Sequence, residues 1–257
     1  MHHQFLLCGS CDLVYASPVP DLSNLQSSYE QAAFDSQKEA GLAAKTYANA
    51  IRKFTSQLPD LDGALDIGTG DGAFLAELFA KGFTHVRGIE PSTAPIEAAD
   101  PQVRKWIDHG FFTPGRYARS SFSLVTCFQT IEHVDDPFGL TSEAHELLKP
   151  GGILCLVGHN RRALSAKILG RRSPIFDIEH LQLFSPESFK NLLVKAGFSS
   201  VRVTPIWNRY PLSYWTRLFP LPLAIKRPLI SLLNATGLGK IMIPLPAGNL
   251  MAWGTKI

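Results

Sequence analysis

The chain has 257 residues, 45% of them hydrophobic and 18% charged, with four cysteines. That is enough apolar matter for a core without staples, which excludes wholesale disorder and a disulfide scaffold, and the sparse cysteines suit a reducing, cytoplasmic setting. The formal net charge of +3 is uneven: residues 159–248 carry 13 Lys and Arg against three acids, so an acidic body is joined to a basic later section.

Residues 1–20 hold a Cys8-x-x-Cys11 turn and a short strand-like run, which reads as part of a Cys-x-x-Cys knuckle. They lack the basic start and apolar run of a secretory signal. Residues 21–57 are predicted helical, because Ala44, Tyr47, Ile51, Phe54 and Leu58 recur at three-to-four spacing. From there strand and helix patterns alternate. Strands are predicted at 64–67, 85–89, 103–107, 123–128, 153–157, 201–204 and 250–254. Helical stripes are predicted around Leu75–Phe79, Leu140–Leu148 and after Ser185-Pro186-Glu187, an N-cap serine followed by proline at the first helical position. The runs at 123–128 and 153–157 lack polar alternation, as in strands buried on both faces of a parallel sheet. The fold class expected is α/β, a Rossmann-like doubly wound sheet with ligands beyond the carboxyl ends of its strands.

The segment 206–248 contains no acidic residue and mixes Arg209, Arg217, Lys226, Arg227 and Lys240 with aromatic side chains. It is expected to form a helical cap insertion within a domain spanning 21–257. Its composition suits an acceptor lid and peripheral contact with an anionic membrane. No nucleic-acid-binding motif accompanies the basic excess, and none is expected as a partner. No run is apolar and long enough to span a membrane.

The motif that carries chemistry is Leu65-Asp66-Ile67-Gly68-Thr69-Gly70-Asp71-Gly72-Ala73, between a strand and a helix. Its glycines allow a tight turn with a ligand close to the backbone. Gly68-x-Gly70-x-x-Ala73 also fits a dinucleotide fingerprint, with Glu90 about 20 residues on. The charges favour another ligand. Asp66 and Asp71 repel a pyrophosphate, at ~4 kcal/mol for unit charges ~4 Å apart and an effective dielectric of 20. The same carboxylates attract the ammonium and sulfonium of S-adenosylmethionine (SAM). Ile89-Glu90-Pro91-Ser92 puts an acid where ribose hydroxyls need an acceptor. Gly110-Phe111-Phe112 offers an aromatic to an adenine, and Gln129 to His133 reach the cleft edge.

Together with Thr130-Ile131-Glu132-His133-Val134-Asp135-Asp136-Pro137 and Leu148-Lys149-Pro150-Gly151-Gly152, these motifs resemble the class I SAM-dependent methyltransferases, in the branch of the ubiquinone-biosynthesis O-methyltransferases and related small-molecule enzymes. The resemblance implies a seven-stranded sheet with an antiparallel last strand and SAM as cofactor. It implies that the loop at Asp66, Gly68, Thr69 and Gly70 holds the methionine part, Glu90 with Pro91 the ribose and Phe111 the adenine, with Gln129 and His133 at the methyl-donor end. The activity it implies is methyl transfer to a small-molecule or lipid-linked acceptor at oxygen. His133 and His180 are the candidate catalytic bases, with His159 a weaker one. The branch can carry a Glu-x-x-Glu-His metal set. Here Gln129 replaces the first carboxylate, an amide is a poorer ligand for a hard cation, and no metal is expected. The alternatives are an NAD-dependent oxidoreductase and a SAM-binding protein without catalysis.

Overall fold

A computed structural model describes residues 4–19, 37–170, 173–176, 179–219, 221–246 and 248–257. The chain opens with a hairpin, β1 (Phe5–Leu7) and β2 (Val14–Ala16), turned by the Cys8–Cys11 segment. Helix α1 (Gln37–Ala50) runs on through two short 3-10 turns to Gln57. Its apolar face buries Ala44, Tyr47, Ala48, Ile51 and Phe54. The start of the predicted 21–57 helix, up to residue 36, lies outside the described residues.

The alternating section follows: β3 (Asp62–Ile67), α2 (Ala73–Ala80), β4 (Thr84–Glu90), α3 (Thr93–Ala98), α4 (Pro101–Arg104), β5 (Ile107–His109), β6 (Phe122–Phe128), α5 (Pro137–Leu147) and β7 (Leu148–His159). Then come α6 (Leu164–Leu169), β8 (Gln182–Leu183), α7 (Pro186–Lys195) and β9 (Ser199–Pro205). The chain continues with β10 (Asn208–Pro211), α8 (Leu212–Leu218), α9 (Leu223–Ala235), β11 (Met242–Leu245) and β12 (Asn249–Thr255).

Seven strands form one sheet in the order β5-β4-β3-β6-β7-β12-β9. The last strand in the chain, β12, runs antiparallel to both neighbours, with Met251 opposite Val157 and Ala252 opposite Val203. This is the expected doubly wound sheet. One apolar layer packs α1 and α2 on it through Tyr47, Phe54, Leu75 and Leu78. The other packs α5 and α7 through Leu140, Leu147, Phe189 and Leu193. The strand order reverses between β3 and β6, which opens a crevice at their carboxyl ends.

One predicted strand, 103–107, is displaced. Val103 lies in α4, and the strand is Ile107–His109. Asp100 caps that short helix, its side chain accepting the Gln102 N–H at 2.8 Å, and Pro101 sits in its first turn. This local start signal outweighs the β-leaning valine.

Residues 207–247 make a second compact unit, apart from 1–206 and 248–257. It consists of the β10–β11 antiparallel pair with α8 and α9. The Trp215 indole donates to the Ile243 carbonyl at 2.9 Å, and the rings of Tyr210, Tyr214 and Trp215 pack together. Helix α9 buries none of its residues and exposes Leu223, Ile225 and Leu232. Among the described residues no helix is long and apolar enough to cross a membrane.

Candidate cofactor and acceptor site

Strand β3 delivers the glycine loop to the crevice. Gly68, Gly70 and Gly72 have φ of +73°, +58° and +72°, a region costly for other residues. At Gly68 a Cβ would fall 2.2 Å from the Thr130 hydroxyl, so the loop closes directly on the segment after β6. At Gly70 a Cβ would meet nothing within 4 Å, so the turn is bare on that side.

Glu90 ends β4 and is buried. Its Oε2 accepts the Gly70 N–H at 2.8 Å and its Oε1 the Ser92 N–H at 2.9 Å. The carboxylate thus clamps the loop while each oxygen retains a further lone pair.

The two aspartates of the loop differ from the charge pattern expected of them. Asp71 turns back on the chain, its Oδ1 accepting the Ala73 N–H at 3.1 Å at the start of α2. Asp66 is buried beneath the loop and accepts from the Thr126 hydroxyl at 2.6 Å. Burial pushes its pKa up to about 7, against the Thr126 and Thr69 hydroxyls, and the Glu90 charge adds to the rise. Near neutrality Asp66 is therefore only partly ionised.

A cavity of about 770 Å³ opens at these strand ends, with Gly68, Glu90, Pro91, Phe111, Gln129 and His133 on its wall. Asp66, Thr69 and His180 are buried and do not line it, while Gly70 is half-buried at the open side of the loop. Gln129 has a φ of +54°, its N–H donates to the Val157 carbonyl, and its side-chain Nε2 is a buried donor with no partner among the described residues.

Behind the wall stands a cluster that spacing alone does not show. Glu132 is fully buried, and its Oε1 accepts both the backbone N–H of His159 at 2.8 Å and its Nδ1–H at 2.7 Å. Burial pushes the Glu132 carboxyl up, but the His159 hydrogen bonds and the nearby imidazoles outweigh it and hold it below the usual carboxylate range. The His133 and His180 ring centroids are 4.8 Å apart, and those of His159 and His180 5.0 Å. His133 Nδ1 donates to the Glu179 carbonyl at 3.1 Å, and His180 Nδ1 to the Ile175 carbonyl at 2.9 Å. Burial draws the His133 pKa down to about 4 despite the Glu132 charge. No group of three or more His, Cys, Asp or Glu among the described residues is arranged to hold a metal ion.

The amino-terminal turn is tied to this unit by Asp12, in the left-handed region at φ +60°. Its carboxylate takes Arg162 Nε at 3.0 Å and also the Arg161 guanidinium. Strand β2 pairs with β8, Val14 opposite Leu183, just after His180.

A parallel sheet with one inserted antiparallel strand, a glycine loop at the reversal point and an acid at the next strand end make up a Rossmann-like fold of the kind seen in solved SAM-dependent methyltransferases. A family model described as a methyltransferase domain matches residues 40–203, and the chain belongs to that family. It is 32% identical over 118 residues to the ubiquinone biosynthesis O-methyltransferase of Histophilus somni, covering 41% of this chain and 49% of that protein. The chain thus spans about half the length of the curated relatives it matches. Among solved structures, a SAM-dependent methyltransferase of Thermotoga maritima superposes with a TM-score of 0.57 at 22% identity, over 85% of this chain and 91% of that one. The geranyl diphosphate C-methyltransferase of Streptomyces coelicolor, solved with S-adenosyl-L-homocysteine, gives 0.56 at 16% identity, over 83% and 79%. These two likenesses establish the shared fold.

Proposed function

We propose that the chain binds SAM at the carboxyl ends of β3, β4 and β6 and moves its methyl group to oxygen of a small-molecule or lipid-linked acceptor. The observation that carries this reading is the Glu90 clamp on Gly70 and Ser92, which joins the bare glycine turn to an acid with spare acceptor capacity. The residues fit the cofactor on two further counts. Gly70 leaves open space where a ligand can meet the backbone, and Gln129 brings an unpartnered buried donor to the cavity wall. When bound, SAM supplies a methyl group on a positively charged sulfur.

The protein's own groups then bind and orient. Gly68 and Gly70 would hold the methionine part, with Asp66 and Thr69 buried behind them in the loop; Glu90 and Pro91 would receive the ribose, and Phe111 would cover the adenine. Gln129 and His133 border the transfer site. Positioning supplies much of the acceleration, and His133, on the wall, accepts the acceptor's proton with His180 packed behind it. The nicotinamide reading loses its ground, since family membership carries methyl-transfer chemistry.

The unit at 207–247 supports a cytoplasmic protein with peripheral contact to an anionic membrane. It pairs exposed Leu223, Ile225 and Leu232 with a basic, acid-free composition. Incubating the full chain with methyl-labelled SAM and a metabolite extract tests the catalytic reading. A labelled O-methyl product is expected. SAM binding without any labelled product would leave a binding protein instead.

A further inference from the structure

The turn of the β1–β2 hairpin takes no part in methyl transfer, yet it brings two unlike thiols together. The Cys8 N–H donates to the Leu13 carbonyl at 2.8 Å and the Asp12 N–H to the Cys8 carbonyl at 3.1 Å, which closes the Cys8-Gly9-Ser10-Cys11 loop on itself. Asp12, at φ +60°, completes the turn and is held by Arg161 and Arg162. The Cys8 sulfur is hydrogen-bonded to the Ser10 hydroxyl at 3.1 Å, and the Ser10 and Cys11 backbone N–H groups and the Cys11 thiol are directed at it as well. Cys11 lies on the wall of a cavity of about 240 Å³ with Leu13, Phe138, Phe184 and Lys195. Cys127 and Cys155 are fully buried in β6 and β7, so within the chain each thiol of the turn has only the other as a disulfide partner.

We propose that Cys8 and Cys11 form a thiol–disulfide exchange site that takes low-molecular-weight disulfides as reaction partners, with Cys8 the attacking sulfur and Cys11 the resolving one. The inference goes beyond the methyl-transfer reading and does not depend on it. Cys8 loses its proton and attacks one sulfur of the small disulfide. That disulfide bond breaks, and its electron pair leaves with the other sulfur, which takes up a proton. The Cys11 sulfur then gives up its own proton and attacks Cys8 in the mixed disulfide. The Cys8–Cys11 bond forms, and the second small thiol departs with its electron pair and a proton. The protein dithiol is oxidised by two electrons, the small disulfide is reduced to two thiols, and excess small thiol reverses both steps.

The surroundings of the two sulfurs assign the roles. The Ser10 hydroxyl first, then the backbone N–H groups, stabilise a negative Cys8 sulfur and hold its pKa down at about 6. Burial raises the Cys11 thiol, and its hydrogen bond to Cys8 adds to the rise, so Cys11 keeps its proton until Cys8 has reacted. An accessible, electron-rich sulfur beside a protonated one is the arrangement that reactive cysteine pairs use. A four-residue loop already closed by its own backbone bonds has little chain freedom left to lose when the sulfurs join.

The test uses the full chain, purified with a chelator, and glutathione disulfide as the probe at about pH 7. Acid quenching, alkylation and peptide mass spectrometry then read each cysteine. The peptide holding Cys8 and Cys11 should lose two hydrogens and regain them in excess reduced glutathione, while Cys127 and Cys155 stay reduced. Cys11→Ser should stop with one glutathione on Cys8, and Cys8→Ser should take up glutathione at Cys11 about tenfold more slowly. In the wild type, limiting iodoacetamide should label Cys8 about tenfold faster than Cys11. Both thiols unchanged in glutathione disulfide, a wild-type mixed disulfide that never resolves, or equal labelling of the two cysteines would overturn the inference. So would a sample prepared without chelator whose two thiols hold zinc and react only once it is stripped, which would show a metal half-site instead. The wild-type labelling order needs no variant and decides alone if either variant fails to fold.

Discussion

Glu90 Oε2 and the Gly70 N–H meet at 2.8 Å across 20 residues of sequence, and this bond joins the first turn of the domain to the end of its second parallel strand. The same carboxylate holds Ser92. Glu90 therefore shapes the pocket before any ligand enters, and its loss should act twice, on the loop and on the ligand.

Glu90→Gln replaces one acceptor oxygen with a donor that faces backbone N–H. SAM affinity should fall by roughly 1.5–3 kcal/mol, as for a hydrogen bond to a charged group. Calorimetry on the variant gives the number; undiminished affinity would remove Glu90 from the site.

Gly70→Val puts a branched side chain at φ +58° into space that no protein atom fills. The left-handed backbone alone costs ~1–2 kcal/mol. SAM binding should vanish while circular dichroism still reports a folded chain. Retained binding would place the cofactor elsewhere.

Asp66 gives a pH dependence of unusual sign. Its folded pKa, about 7, lies above the ordinary 3.8, so the folded state holds a proton that the unfolded state has released. Stability from this group is full below about pH 4 and is lost as pH rises toward 7. Asp66→Asn removes that loss. Its melting temperature should exceed that of the wild type by several degrees at pH 8 and approach it at pH 4, given ~2–4 °C per kcal/mol for a chain of this size. A constant difference across that range in scanning calorimetry would contradict the assignment.

The basic, apolar unit at 207–247 predicts sedimentation with anionic vesicles and release by salt, because exposed charge attraction is screened over ~8–10 Å at physiological ionic strength. Replacing Leu223 and Ile225 with Ser should weaken pelleting at low salt. A chain that stays in the supernatant with vesicles rich in anionic lipid at low salt has no such contact.

The sheet and the glycine loop are legible because their signals are local: apolar runs, Gly68 to Gly72, and Ser185-Pro186. The Asp100-Pro101 helix start is equally local, but it overlaps the β-leaning Val103 and Ile107, whose pattern masks it. Asp71 reads as a ligand charge because nothing in its neighbours announces that it turns onto the Ala73 N–H. The Glu132–His159 pair spans 27 residues and forms only because β6 and β7 lie side by side, so spacing could not show that the two residues meet. The β2–β8 pairing that brings the amino-terminal hairpin beside His180 is longer still in sequence and carries no local signal.

The central claim is tested most directly by calorimetric titration of the full chain with SAM, S-adenosylhomocysteine and NAD in parallel. One site per chain for the first two, weakened in Glu90→Gln, and no heat with NAD is the predicted result. Binding of NAD in preference to SAM, or no binding of SAM at millimolar concentration by a folded chain, would contradict it.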